Sequence, residues 1–407
     1  DGQIIAPTAC FNRNMADFFT KWQMDIIEDQ DPTGAVHDVT PSFGFKGTAS
    51  PAWGDAVIVV PWSLYLYYGD RRILETSYNG MAAWVELMKR ESKEYLYERE
   101  GYGDWIAVVP SPKKPIGAAY FYYGAATMSR VARVLGKEKD ALQYAELTQK
   151  IAAAFQKAYY DRSSGWYTGA TQTANLLPLE FGITPQEEGP AAVNALVEDI
   201  KARNVHLSTG FVGTPFSLPV LSKYGHHDLA FRLAVQKTYP SWGYMIEKGA
   251  TTIWELWNSD TEGPGMNSRN HYALGAVGRW MYDQLLGLQP DEQQPGYKKA
   301  LIAPAPVGDL TWVEGEIKTL YGPLRCRWQK EKRTLRLTVS IPANTTAEIR
   351  IPCEGQTEPI IVEDGQHLVH KGKAAAAIEG LKFLRLEKDV VVLAAQAGQY
   401  EFLRVDE

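Results

Sequence analysis

Residues 249–258 read Gly-Ala-Thr-Thr-Ile-Trp-Glu-Leu-Trp-Asn, with Glu255 set between Trp254 and Trp257 and no other charge in the stretch. A carboxylate placed among aromatics must be hydrogen-bonded, hold its proton, or face a wet cleft, because burying it dry and unpaired is costly. Aromatic faces beside an acid suit a sugar, which offers apolar C–H faces and a ring of hydroxyls. The competing reading is a core aromatic cluster with Glu255 at its rim, and recurrence favours the site. The pattern returns as Ala52-Trp53-Gly54-Asp55, as Gly103-Asp104-Trp105 and, more loosely, as Ser241-Trp242-Gly243-Tyr244. Each lies in a Gly- or Pro-marked stretch where loops form, and loops carry function more often than framework does. With 12 Trp and 22 Tyr in the chain, one such pair would be unremarkable packing; the repetition carries the argument.

Other chemistries fit less well. Cys10, Cys326 and Cys353 are too scattered for a disulfide scaffold or a zinc site and read as free thiols, which leaves the compartment open. His226 and His227 are adjacent, so on a helix they point apart; they read as a surface pair rather than a metal site. The net charge of −6 and the absence of a Lys/Arg cluster argue against nucleic acid as partner. No apolar run approaches the ~20 residues of a membrane-spanning helix. A neutral or weakly polar substrate fits this balance. The chain opens on Asp1 rather than Met, and a start further upstream is expected.

The 407 residues allow two domains. Up to about residue 288 the apolar spacing is helical, predicting helices over 14–28, 53–68, 72–95, 115–135, 139–160, 185–203, 228–237 and 271–286. Turns at Gly69-Asp70 and Gly136-Lys137 make antiparallel neighbours of the helices they join. No strand pattern interrupts them and no fixed repeat marks a solenoid, while long loops at 30–51 and 98–114 favour a closed double ring of helices. After the turn-rich run 289–296, alternating strands are predicted over 310–318, 324–329, 335–341, 347–351, 360–362 and a last run to 403, an antiparallel sandwich assigned to support. Domain boundaries of 1–290 and 297–407 follow.

Residues 49–56 (Ala-Ser-Pro-Ala-Trp-Gly-Asp-Ala), Val60-Pro-Trp-Ser-Leu-Tyr65, Gly69-Asp-Arg71, Gly103-Asp-Trp105, the 249–257 segment and Asn270-His-Tyr-Ala-Leu-Gly275 resemble, in order, the bacterial α-L-rhamnosidases of glycoside hydrolase family 78. The resemblance implies an (α/α)6 barrel followed by a β-sandwich, and inverting hydrolysis of terminal α-L-rhamnose from rhamnosides or rhamnose-containing polysaccharides, without a cofactor. It implies Glu255 as general base, Trp53, Trp105 and Trp254 as aromatic residues of the sugar site, and His271 as a partner of a sugar hydroxyl. Asp104 is then a pocket acid or the acid that orients its loop, and Asp55 either supports the site or stabilises a helix N-terminus. The family's general acid is a Glu in an Asp-x-Pro-x-Arg-x-Glu-Arg-x-Gly-Trp-x-Gly-Asp segment. Asp1-Gly-Gln resembles its tail, which makes Asp1 a sugar-binding Asp and places the acid upstream of this chain. Within the chain, Glu247 reads as a solvated partner of Lys248, and Glu262 lies in a Gly-Pro loop. Two other readings stay open: an (α/α)6 glycosidase acting on another sugar, and a non-catalytic carbohydrate-binding protein. Oligomeric state and leaving-group preference are not encoded in any motif.

Overall fold

The computed structural model describes residues 1–45, 47–331 and 334–405. Its first part is helical: α1 (Gly2–Asn12), α2 (Ala16–Glu28), α3 (Ala56–Tyr68), α4 (Arg71–Glu91), α5 (Lys113–Val134), α6 (Glu138–Tyr159), α7 (Gln172–Phe181), α8 (Gly189–Ala202), α9 (Thr214–Lys223), α10 (His227–Ala234) and the short α11 (Trp242–Glu247). Between α6 and α7 lies a two-strand hairpin, β1 (Tyr160–Asp161) with β2 (Trp166–Tyr167), which the helical pattern had not predicted. The segment expected as one helix over 271–286 is instead a 3-10 turn (Ala273–Ala276), one α turn, α12 (Val277–Trp280), and a π turn (Met281–Leu286) closed by Gly287 in the left-handed region. The chain divides into two compact units, one of residues 1–10, 15–64 and 71–277 and the other of residues 11–14, 65–70 and 278–407.

In the first unit two kinds of helix alternate. The helices α6, α8 and α10 are amphipathic; α8, for example, buries Ala192, Val193, Leu196, Val197 and Ile200 at three- and four-residue spacing and leaves its other face polar. The helices α5, α7 and α9 are buried along most of their length, α7 over every residue from 172 to 179. Helix α5 packs on α6 and α7, α7 on α8 and α9, and α9 on α10 and the 273–276 turn. The predicted turn at Gly136 has φ +73° and receives the chain as α5 ends, a conformation glycine adopts without strain. Cys10 is buried and outside any disulfide, as are Cys326 and Cys353. Among the described residues no helix is long and apolar enough to cross a membrane.

The second unit holds two sheets. The strands run β3 (Leu288–Pro290), β4 (Lys299–Ile302), β5 (Trp312–Thr319), β6 (Gly322–Glu331), β7 (Thr334–Ile341), β8 (Thr346–Pro352), β9 (Ile360–Glu363), β10 (Gln366–His370), β11 (Lys373–Ala374), β12 (Leu381–Glu387), β13 (Val390–Ala395) and β14 (Gly398–Val405). The seven-stranded sheet has the order β11-β10-β9-β14-β7-β6-β5 and the five-stranded sheet β12-β13-β8-β4-β3. Alternation is clear in β7, where Leu335, Leu337, Val339 and Ile341 are buried, giving a sandwich-like body. The expectation of a wholly antiparallel body needs one correction, because β4 and β8 pair in parallel. Strand β8 buries alternate residues, the pattern usual in antiparallel sheets, so its sequence did not betray a parallel neighbour.

Candidate active site

Four loops of the helical unit, 29–55, 92–112, 203–213 and 248–272, carry most of the acids and aromatics singled out above, and Asp1 stands just before α1. In the last, the Glu255 N–H donates to the Ser268 carbonyl (2.8 Å), and the Ser268 N–H donates back to Glu255 Oε2 (2.9 Å). This reciprocal pair fixes a carboxylate that is only 6% exposed. The His271 N–H donates to the Ile253 carbonyl (2.8 Å), closing the loop so that Glu255 and His271 share one end of it. His271 Nδ1 accepts the Ala273 N–H at 3.3 Å, which leaves Nε2 to carry the proton of a neutral ring and present it to Asp1 Oδ2 at 3.3 Å. Burial holds the imidazole below its ordinary pKa, against the opposing pull of the Glu255 charge. His271 is therefore a neutral donor at neutral pH.

The ring of Phe211 lies 4.8 Å from that of His271, and its backbone N–H donates to the Trp105 carbonyl (3.0 Å), which joins the 203–213 loop to the Gly-Asp-Trp segment. The joint is close: a Cβ on Gly210 would come within 2.0 Å of the Trp105 carbonyl oxygen, so no side chain fits there. Asp104 secures it. Its Oδ1 accepts the N–H groups of Val212 (2.8 Å) and Gly213 (3.1 Å), and its Oδ2 accepts the Gly210 N–H (2.8 Å) and the Thr173 hydroxyl (2.5 Å). Burial raises the Asp104 pKa and these four donors oppose that rise.

Asp55, fully buried, plays the same part for the 49–55 loop. Its Oδ2 accepts the Ala52 N–H (2.8 Å) and its Oδ1 the Trp84 indole N–H (2.9 Å), while Gln3 Nε2 donates to the Ala52 carbonyl (2.6 Å). Ala52 is thereby held at φ +70°, a left-handed conformation that costs an L-residue about 1–2 kcal/mol. Burial raises the Asp55 pKa to about 6. Trp53, the next residue, is half-buried, its ring 4.8 Å from Tyr102, which in turn meets half-buried Trp105 edge-on at 5.9 Å.

The structure thus links His271 and Asp1 to Trp105, Tyr102 and Trp53 through Phe211, itself buried at 1% exposure, and holds Glu255 on the same loop end by the His271 N–H bond to Ile253. Trp254, Asp55 and Asp104 are buried as well, the two aspartates with both carboxylate oxygens accepting protein donors. Trp254 is 4% exposed under the Arg269 guanidinium, 5.5 Å above its ring, and Trp257 is 2% exposed with its indole N–H donated to the Thr209 carbonyl (3.0 Å). Glu247 pairs with Lys237 (3.4 Å) rather than with Lys248, whose ammonium lies 3.9 Å from Asp260; Glu262 accepts from Asn258 (2.7 Å). Sequence reasoning passed over Tyr102 and Phe211, although Tyr102 lies between Gly101 and Gly103 and Phe211 follows Gly210 two residues before Gly213, glycines that mark irregular loops. Among the described residues no group of His, Cys, Asp and Glu could hold a metal ion.

Comparison with known proteins gives this arrangement a family. Residues 1–285 match the model of the bacterial alpha-L-rhamnosidase 6 hairpin glycosidase domain, and residues 287–366 match that of the bacterial alpha-L-rhamnosidase C-terminal domain. The chain belongs to the bacterial α-L-rhamnosidase family. An alpha-L-rhamnosidase of Streptomyces avermitilis is 43% identical over 360 residues, covering 87% of this chain and 34% of the relative; one of Formosa agariphila is 36% identical over 415 residues, covering 99% and 44%. The chain therefore spans well under half the length of these curated relatives. Among solved structures, the Streptomyces avermitilis alpha-L-rhamnosidase complexed with L-rhamnose superposes with a TM-score of 0.91 at 39% identity, over 99% of this chain and 38% of that one. The alpha-L-rhamnosidase from Dictyoglumus thermophilum does so with a TM-score of 0.91 at 34% identity, over 100% and 45%.

Proposed function

We propose that this chain carries the sugar site and the general base of an enzyme that releases terminal α-L-rhamnose, with inversion, from rhamnosides or rhamnose-containing polysaccharides. The observation that carries the reading is the carboxylate of Glu255, oriented by the Ser268 N–H and set beside a neutral His271 at one end of a half-buried aromatic wall. The 6-deoxy methyl of rhamnose and the C–H face of its ring pack on Trp53 and Trp105, while Asp1 and His271 bond its hydroxyls. Glu255 takes a proton from a water that attacks the anomeric carbon. The C–O bond to the leaving group breaks as the water oxygen bonds, and the leaving oxygen is protonated by an acid about 6.5–9.5 Å across the ring; we assign that acid to no residue of this chain. Asp104, Asp55 and Trp254 act from behind, holding the three loops that present these groups.

The alternation of buried α5, α7 and α9 with amphipathic α6, α8 and α10 supports an (α/α)6 barrel as the scaffold, ending near residue 290 where the sheet body begins. The test is proton NMR of the full-length protein acting on p-nitrophenyl α-L-rhamnoside. The β anomer of rhamnose is expected to appear first and then to mutarotate. Initial release of the α anomer would refute direct water attack, and absence of any release would refute hydrolysis.

A further inference from the structure

The group that orients Glu255 is the peptide N–H between Asn267 and Ser268, and it stands where the 259–267 excursion returns to the site. Residues 261–266, the tip of that excursion, are exposed, and an added Cβ at Gly263 or Gly265 would meet nothing within 4 Å. The outgoing limb is tied to the body. Asp260 accepts the Tyr244 hydroxyl on both oxygens (3.0 and 2.9 Å), and Ser259, fully buried, donates its hydroxyl to the Leu256 carbonyl (3.2 Å). The returning limb is tied to the outgoing one by the two side chains that flank Ser268. Asn267 Nδ2 reaches the carbonyls of Ser259 (3.1 Å), Glu262 (3.3 Å) and Gly263 (3.0 Å). Arg269 Nη2 donates to the same Ser259 carbonyl (3.1 Å) while its guanidinium lies over Trp254. A carbonyl oxygen has two lone pairs, so both donors fit there at once.

We propose that Asn267 and Arg269 are positioning residues for proton transfer: by closing on the Ser259 carbonyl they fix the 267–268 peptide and, through its N–H, the carboxylate of Glu255. This rests on the hydrolase reading above and names the residues on which its base depends. A free carboxylate rotates about its last side-chain bond, and one N–H on Oε2 sets the plane in which both oxygens lie. A base works only within hydrogen-bond reach of the proton it takes. A displacement of about 1 Å can cost on the order of a hundredfold in rate, so a clamp two bonds removed from the carboxylate acts on turnover without touching the sugar. Arg269, although exposed, spends a nitrogen on Ser259 and lays its plane on Trp254, the residue before the base. That geometry serves the Trp254-Glu255 segment and its partner Ser268 together.

The test measures kcat and KM on p-nitrophenyl α-L-rhamnoside, with L-rhamnose affinity, in the full-length protein and its Asn267→Ala, Arg269→Ala and Arg269→Lys variants, each alone and combined with Glu255→Gln. Asn267→Ala and Arg269→Ala are each expected to lose about ten- to a hundredfold in kcat while KM and rhamnose affinity hold. Arg269→Lys, which keeps a donor for Ser259, is expected to recover most of that loss. In the Glu255→Gln background the same substitutions are expected to change kcat by less than about twofold, because the base they position is gone. Losses that persist in that background, losses that fall on KM or rhamnose affinity instead, or an unaltered kcat would each overturn the proposal. Hydrogen exchange reads the clamp without turnover. The amides of Ser268 and Glu255 are expected to exchange about tenfold faster or more in Asn267→Ala and Arg269→Ala at an unchanged melting temperature, and wild-type protection would overturn the proposal. If the wild-type protein releases no rhamnose, the hydrolase reading fails by itself, and the exchange rates still decide whether these two side chains hold the Glu255–Ser268 pair.

Discussion

Replacing Asp104 with Asn separates an anchor from a sugar ligand. The amide keeps the shape of the carboxylate and removes half of its accepting capacity. With Nδ2 in place of Oδ1 it would confront the N–H groups of Val212 and Gly213; in place of Oδ2 it would confront only that of Gly210, because the Thr173 hydroxyl can rotate to accept. The second orientation is cheaper and leaves one buried N–H unpaired, costing about 1–3 kcal/mol. The other bonds also lose the strength that a charged acceptor gives them, while the relief of a buried charge, whose cost shows in the raised pKa of Asp104, offsets part of that loss. A net loss of about 2–3 kcal/mol follows, and at about 2–4 °C per kcal/mol for a domain of this size the melting temperature falls by about 4–12 °C. Asp104→Ala, which orphans all four donors, loses more, and Thr173→Val, which removes one hydroxyl, loses about 1 kcal/mol. Thermal unfolding followed by circular dichroism, with L-rhamnose affinity by calorimetry, reads both effects. Asp104→Asn that melts like the wild type but no longer binds rhamnose would refute the anchor and make Asp104 a ligand of the sugar.

Two further predictions concern the same supports. In Gly210→Ala the new methyl meets the Trp105 carbonyl oxygen at 2.0 Å, so the 203–213 loop must move away; Phe211 then leaves His271, and rhamnose affinity is expected to drop at least tenfold with a lowered melting temperature. A variant that binds normally would show that the two loops do not need this approach. Asp55 links stability to pH. Its pKa of about 6 in the fold stands above the ordinary 3.8, so the native state holds the proton more tightly than the unfolded chain. The resulting stability is complete below pH about 4 and disappears as pH rises through 6, on the order of 3 kcal/mol in all. Urea titrations between pH 4 and 7 are expected to show this decline in the wild type and a flatter profile in Asp55→Asn; parallel profiles would assign the pH dependence elsewhere.

What the sequence revealed and what it hid follow from the same physics. The helices α4, α6 and α8 announce themselves because each has a wet face, and a wet face gives apolar residues their period. The helices α7 and α9 have none, carry Pro178 and Pro219 inside, and read as loop; α1, with Pro7 at its middle, is hidden in the same way. The continuous helix expected over 271–286 failed because apolar spacing does not distinguish an α turn from the 3-10 and π turns found there. At the site, Trp53, Trp105 and Trp254 each lie within two residues of an acid, and only the fold shows that Trp254 is sealed under Arg269 while the other two stay half-open. Asp55 and Asp104 show the limit of the letters: in the fold each carboxylate accepts backbone N–H groups, and a sequence does not distinguish such an acceptor from one that meets a sugar. Phe211 joins the site through His271, sixty residues on, and Tyr102 reaches Trp53 across about fifty residues, pairings that no local pattern announces.

The central claim is that Glu255 draws the proton from the attacking water. Its most direct measurement is the turnover number of the full-length protein and its Glu255→Gln variant on p-nitrophenyl α-L-rhamnoside, with rhamnose affinity recorded beside it. Gln keeps the volume and an oxygen to accept from Ser268 but cannot take a proton, so kcat is expected to fall by about two orders of magnitude or more while rhamnose still binds. A variant that turns over like the wild type would contradict the assignment.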